Sequence, residues 1–170
     1  MSDTGIEFRL SAPTATTGNS QTQPDPNASL GKFVSSTVWG GTLFADDNLT
    51  GTTVYRCVFA ANSGSYYTLR GSAVYISGNQ PATAKIAIGV DPIFVCHINT
   101  ATPQATVIAS ESVAPPGVFF ASPVYGTTAS VVGDLAPLTC RGLWLRRISA
   151  GSVPASDQMF TLRLIGTLTL

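Results

Sequence analysis

The sequence predicts an all-β protein: an antiparallel β-sandwich, jelly-roll-like, with an extended N-terminal arm or loop. Three observations carry this reading. Apolar and polar residues alternate in short runs bounded by Gly, Pro, Asn and Asp, and a period of two is that of a strand with one buried face. No stretch repeats apolar residues at i, i+3, i+4 and i+7 over three turns, so no amphipathic helix is expected. The runs recur about every 8–12 residues with turn signals between them, the spacing of sandwich and jelly-roll strands. The 170 residues suit a single domain, 1–170, in which 11–30 form the polar arm.

Taken in order, Ile6, Phe8 and Leu10 alternate with Glu7 and Arg9, a short first strand. Ser11 to Pro26 is almost wholly Ala, Thr, Gly, Asn, Gln and Pro, too polar for a core and without helical period. The Asp25 to Gly31 stretch ends it in a turn, because Pro26 fixes φ while Asp and Asn bond their own backbone. Lys32 to Phe44 is irregular and broken by Gly40-Gly41, which predicts a bulged edge strand or an ordered irregular segment. Asp46-Asp47-Asn48-Leu49-Thr50-Gly51 reads as a plain turn; it lacks the ligand spacing and terminal Glu of a calcium loop.

Thr53 to Ala60 is apolar on both faces, and with Tyr67 to Ser77 it reads as a hairpin around Asn62 to Ser65. Lys85 to Val90 and Ile93 to Ile98 are strands around Asp91-Pro92. Thr106 to Ala109, Val118 to Ala121 and Val131 to Pro137 are short strands, the last ending in a turn that holds Asp134. The strongest alternation is at the end. Gly142 to Ile148 runs into a polar loop, and Phe160 to Leu170 returns with Phe160, Leu162, Leu164, Leu168 and Leu170 on one face. These two runs are expected to form a terminal hairpin, with a strand rather than a tail at the C-terminus.

Charged residues make up only 11% of the chain, against about 25% in an ordinary soluble domain. A surface this poor in charge suits one covered by other subunits. The formal net charge is zero and the nine Lys and Arg are scattered, so nothing points to nucleic acid. The first ten residues do not make a signal peptide, and no apolar run approaches the roughly 20 residues that span a bilayer. No membrane partner is expected.

Catalytic patterns are missing in the same way. His97 is the single histidine, without a Gly-x-Ser-x-Gly elbow elsewhere, and reads as a strand residue with a satisfied ring. Glu7 and Glu111 are the only glutamates, and no phosphate loop is present. Cys57, Cys96 and Cys140 have no ligand spacing and sit in apolar runs, so they read as small buried hydrophobes, with one disulfide or a reactive thiol as the alternative. No catalytic residue, cofactor or metal is therefore expected. The candidate interface residues are Phe33, Trp39, Tyr66, Tyr67, Arg146 and Arg147, because aromatics and Arg anchor interfaces. Trp39 and the Tyr66-Tyr67 pair also suit stacking on a sugar ring. On a strand, Arg146 and Arg147 face opposite ways.

Several phrases occur together and in order. They are Asp25 to Gly31 before Ser35-Ser36-Thr37, Thr53 to Cys57, Ile88-Gly89-Val90-Asp91, Glu111 to Val118, Gly133 to Pro137 and Leu143 to Arg147. Over most of its length the chain thereby resembles small accessory virion proteins of tailed bacteriophages. These phrases are turns and strands, not catalytic signatures. The resemblance implies a non-enzymatic virion protein made in the host cytoplasm. Its expected role is a capsid decoration or cement protein at junctions of the major capsid protein, as a homo-oligomer with a trimer favoured. A neck or tail component contacting other virion proteins, and a carbohydrate- or receptor-binding β-module, are the alternatives.

Overall fold

A computed structural model describes residues 5–12, 30–39, 43–44, 51–77, 84–93, 95–98, 100, 102–122, 129–149 and 160–170. Among the described residues there are strands and no helix. The strands are β1 (Ile6–Ala12), β2 (Gly31–Val38), β3 (Thr53–Asn62), β4 (Thr68–Ser77), β5 (Ala84–Val90), β6 (Cys96–His97), β7 (Ala105–Val107), β8 (Ser130–Leu135), β9 (Thr139–Ser149) and β10 (Thr161–Thr169). Their pairings are antiparallel. One sheet runs β5-β9-β3-β1-β2-β7 with β6 also on β9; the other runs β10-β4-β8.

β9 is the axis of the larger sheet. It pairs along β3 from Thr53↔Ile148 to Asn62↔Thr139, and its other edge takes β5 and β6. Alternation sends Leu143 and Leu145 to one face and Cys140 and Trp144 to the other. β3 divides likewise: Val58 and Ala60 one way, Cys57, Phe59 and Ala61 the other. The first face shares a cluster with Leu69, Val74, Ile76, Val132, Leu135 and Leu162 of the smaller sheet. The second is covered by Ile98, Ala105, Ile108, Val118 and Phe120. A sheet covered on both faces requires strands apolar on both faces, which is how Thr53 to Ala60 reads in sequence. Each large apolar side chain buried this way contributes about 1.5–3 kcal/mol.

Both expected hairpins are absent. β3 and β4 follow one another but lie in different sheets, as do β9 and β10. The β3–β4 connection is a corner rather than a turn within one sheet. Asn62 is fully buried there; its Nδ2 donates to the carbonyls of Tyr67 (2.7 Å) and Leu135 (3.0 Å), and its Oδ1 accepts from Gly64 N (3.1 Å). Those bonds commit the chain to cross over, leaving β3 to pair with β9, and β4 with β10 and β8.

Four smaller expectations also change. The alternation of Phe160 to Leu170 breaks at a bulge between Ile165 and Thr167, where a side chain on Gly166 would press on Leu69 and the Arg70 carbonyl. Beyond it Leu168 and Leu170 are exposed instead of buried. Val118 to Phe120 form no strand; only Ala121 bridges, to Ile88. Asp134 lies within β8 rather than a turn, accepting from Gly71 N (2.7 Å) and Arg70 Nη1 (3.2 Å) across the β4 irregularity. Ser11 and Ala12 are buried in β1, and Leu30 packs on the second cluster, so these ends of the expected arm belong to the body. Residues 13–29, the Gly40-Gly41 break, Asp46 to Thr50 and Gly78 to Pro81 lie outside the described residues. β2 carries the expected irregularity: its register shifts against both β1 and β7, and Lys32 has φ 75°.

Candidate functional site

Among the described residues, a buried polar arrangement stands where the two margins of the larger sheet approach one another. β5 and β7 are opposite margins of that sheet. Asp91 follows β5 directly, and its carboxylate reaches β7. Oδ2 accepts from Thr106 N (3.0 Å) and Trp144 Nε1 (2.8 Å), while Oδ1 accepts from Thr106 Oγ1 (3.2 Å) and Ile93 N (2.8 Å). The Ile93 bond is the Asx turn that Asp-Pro sequences favour. Arg141 Nη2 donates to the Asp91 carbonyl (3.2 Å), and Arg141 Nη1 to that of Val132 (2.8 Å). Burial lowers the Arg141 pKa, and the Asp91 charge opposes that shift. The sheet is thereby curled like half a barrel and clasped by one side chain.

Close packing makes the clasp specific. A Cβ on Gly142 would lie 2.8 Å from Ala105 Cβ and 3.1 Å from Asp91 Cβ. A Cβ on Gly31 would collide with the Thr106 carbonyl oxygen. Asp91 is fully buried and holds four donors on two oxygens. A carboxylate so engaged positions the backbone; it has no lone pair turned toward solvent for acid–base work. In sequence Asp91 reads only as part of a turn. Its signal was an acid placed between two apolar strand runs, where an unpaired charge would be costly.

The cysteines lie on the same side of the molecule. Cys57 and Cys140 are buried and Cys96 is partly exposed; none of the three is in a disulfide. Burial is the first cause that raises each of their pKa values, well above the ordinary value for Cys57 and to about 12 for Cys140. At neutral pH they are thiols, as expected of small buried hydrophobes.

The structure disperses the six candidate interface residues. Phe33 is buried in β2, with Lys32 Nζ 5.3 Å from its ring centre. Trp39 lies between Phe8 and Phe160, with ring centres 6.1 Å from each. Arg146 and Arg147 take opposite faces of β9. Arg146 lies 5.0 Å from the Phe120 ring centre and Arg147 5.8 Å from that of Phe44. Such cation–π contacts contribute about 0.5–2 kcal/mol each. Tyr67 is half-buried, and Tyr66 alone of the six is largely in solvent, 78% exposed. Among the described residues the other acids are also held: besides Asp134, Glu111 pairs with buried Arg56, and Glu7 with Arg9 (2.6 Å). His97 is an exposed residue of β6 whose carbonyl accepts from Gln104 Nε2 (2.7 Å).

Sequence reasoning did not single out the outer surface of the smaller sheet. Ile165, Ala73 and Val131 are register partners across β10, β4 and β8, and Val131 is 73% exposed. Elsewhere Phe119 is 91% exposed between the inward-packed Val118 and Phe120. A scan against protein families, a search of curated proteins and a search of solved structures each return no match for this chain.

Proposed function

We propose that this chain is a non-enzymatic structural protein of a tailed-bacteriophage virion, a decoration or cement protein seated where major capsid subunits meet. The observation that carries the reading is the outward apolar row Ile165–Ala73–Val131 on a chain with only 11% charged residues. Apolar surface of this kind is suited to burial against neighbours. The double-covered sheet and its clasp suit a rigid staple, and the order of sequence phrases supports the same class. In this reading the two sheets, which share one apolar cluster, form a jelly-roll-like sandwich, with the polar arm draped on a neighbour.

The test is assembly. Analytical ultracentrifugation of the purified protein is expected to show a homo-oligomer, a trimer by preference, and the protein is expected to bind capsids that lack it. A monomer at high concentration that leaves such capsids unbound overturns the reading. Cryo-EM placement on the particle separates a head position from the neck or tail. The exposed ring of Tyr66 favours one second reading, a receptor- or glycan-binding module. On that reading Tyr66→Ala lowers adsorption or glycan-array binding at least tenfold with thermal stability unchanged. On the cement reading adsorption is unaltered.

A further inference from the structure

Cys96 and Cys140, 44 positions apart in sequence, are direct register partners on β6 and β9. Side chains of directly opposed residues share one face of the sheet. Two positions along the same ladder, Ile98 N donates to the Leu138 carbonyl at 2.8 Å. Closely and widely spaced pairs alternate in an antiparallel ladder, so Cys96 and Cys140 occupy a hydrogen-bonded pair with Cα atoms about 5.5 Å apart. That separation falls inside the roughly 4.4–6.8 Å window of disulfides. Cys96 is partly exposed whereas Cys140 is buried, so one sulfur of the pair meets reagents and the other waits behind it. Cys57 opposes Trp144 and has no cysteine across from it.

We propose that Cys96 and Cys140 are a redox pair that closes into a cross-strand disulfide on exchange with a small-molecule disulfide, locking β6 onto β9. The Cys96 thiolate attacks one sulfur of the reagent, forming a mixed disulfide and displacing a thiolate that takes up the proton Cys96 gave up. Cys140 then loses its proton and attacks the Cys96 sulfur. The protein S–S bond forms, and the second reagent thiolate leaves and is protonated. Two protein thiols are oxidised and one small disulfide is reduced to two thiols. β6 is only two residues long, so a covalent tie there changes the local opening of the segment more than the sheet itself. Burial holds both thiols in the protonated form, so closure is slow at neutral pH and quickens as pH rises.

The experiment uses the full chain with oxidised glutathione at pH 8.5. Thiols titrated after denaturation are expected to fall from the three of the free protein to one, with no retained glutathione. No Lys or Arg separates residues 86 and 140, and Glu111 is the only Glu in that interval. Digestion after Lys, Arg and Glu without reductant therefore yields two peptides joined through Cys96 and Cys140. Cys57→Ser leaves the cross-link in place, and hydrogen exchange at Ile98 slows on oxidation. Three thiols remaining, a bridge that includes Cys57, or glutathione held stably on Cys96 overturns the proposal. Because the wild-type chain supplies the main readout, a variant that fails to fold does not decide the result.

Discussion

Replacing Asp91 with alanine lowers the unfolding free energy by about 4 kcal/mol. The buried donor Trp144 Nε1 and the part-buried donors Thr106 N and Ile93 N lose their acceptor together with the Thr106 hydroxyl. Each unsatisfied buried group costs roughly 1–3 kcal/mol, and water entering the space recovers part of the loss. For a chain of this length the melting temperature falls by roughly 8–16 °C. Asp91→Asn loses about half as much, since one oxygen still accepts while the new amide faces donors. Urea denaturation at fixed protein concentration checks both, through the midpoint at unchanged slope. An Asp91→Ala protein as stable as the parent would show that the two margins of the larger sheet stay together without the clasp.

Gly31→Ala is the second large loss, about 3–4 kcal/mol, and Gly51→Ala is its control. Both glycines have positive φ, 94° and 76°, so both substitutions strain the backbone by about 1 kcal/mol or more. Only at Gly31 does the new Cβ also strike backbone, at the Thr106 carbonyl, with Trp144 Cζ2 3.0 Å away; at Gly51 it meets open space. Overpacking adds about 1–3 kcal/mol at Gly31. Equal losses at the two positions would mean that the β2–β7 margin moves aside freely.

Much of the strand content is legible without coordinates. Alternation in Ile6 to Leu10 and the two-faced apolar run of Thr53 to Ala60 correspond to β1 and β3, and the irregularity of Lys32 to Phe44 to the bulges of β2. Side-chain direction depends on the pleat, and the pleat is local. Strand partners are not. The same reading joins β3 to β4 and β9 to β10 because they are consecutive, and the structure separates both pairs. Nor does an alternating pattern announce its own bulge, so Leu168 and Leu170 are read inward and stand outward.

That this chain builds strands, where most of them run, and that β3 is apolar on both sides can be read from residue order alone, because a side chain's face follows from its neighbours along the chain. Which strand lies beside which, how far the larger sheet curls, and that Asp91 ties its two margins emerge from the folded arrangement. Every strand edge offers the same N–H and C=O groups, so pairing is chosen by distant side chains. The donors that hold Asp91 come from 2, 15 and 53 residues along the chain, and no local pattern brings them together.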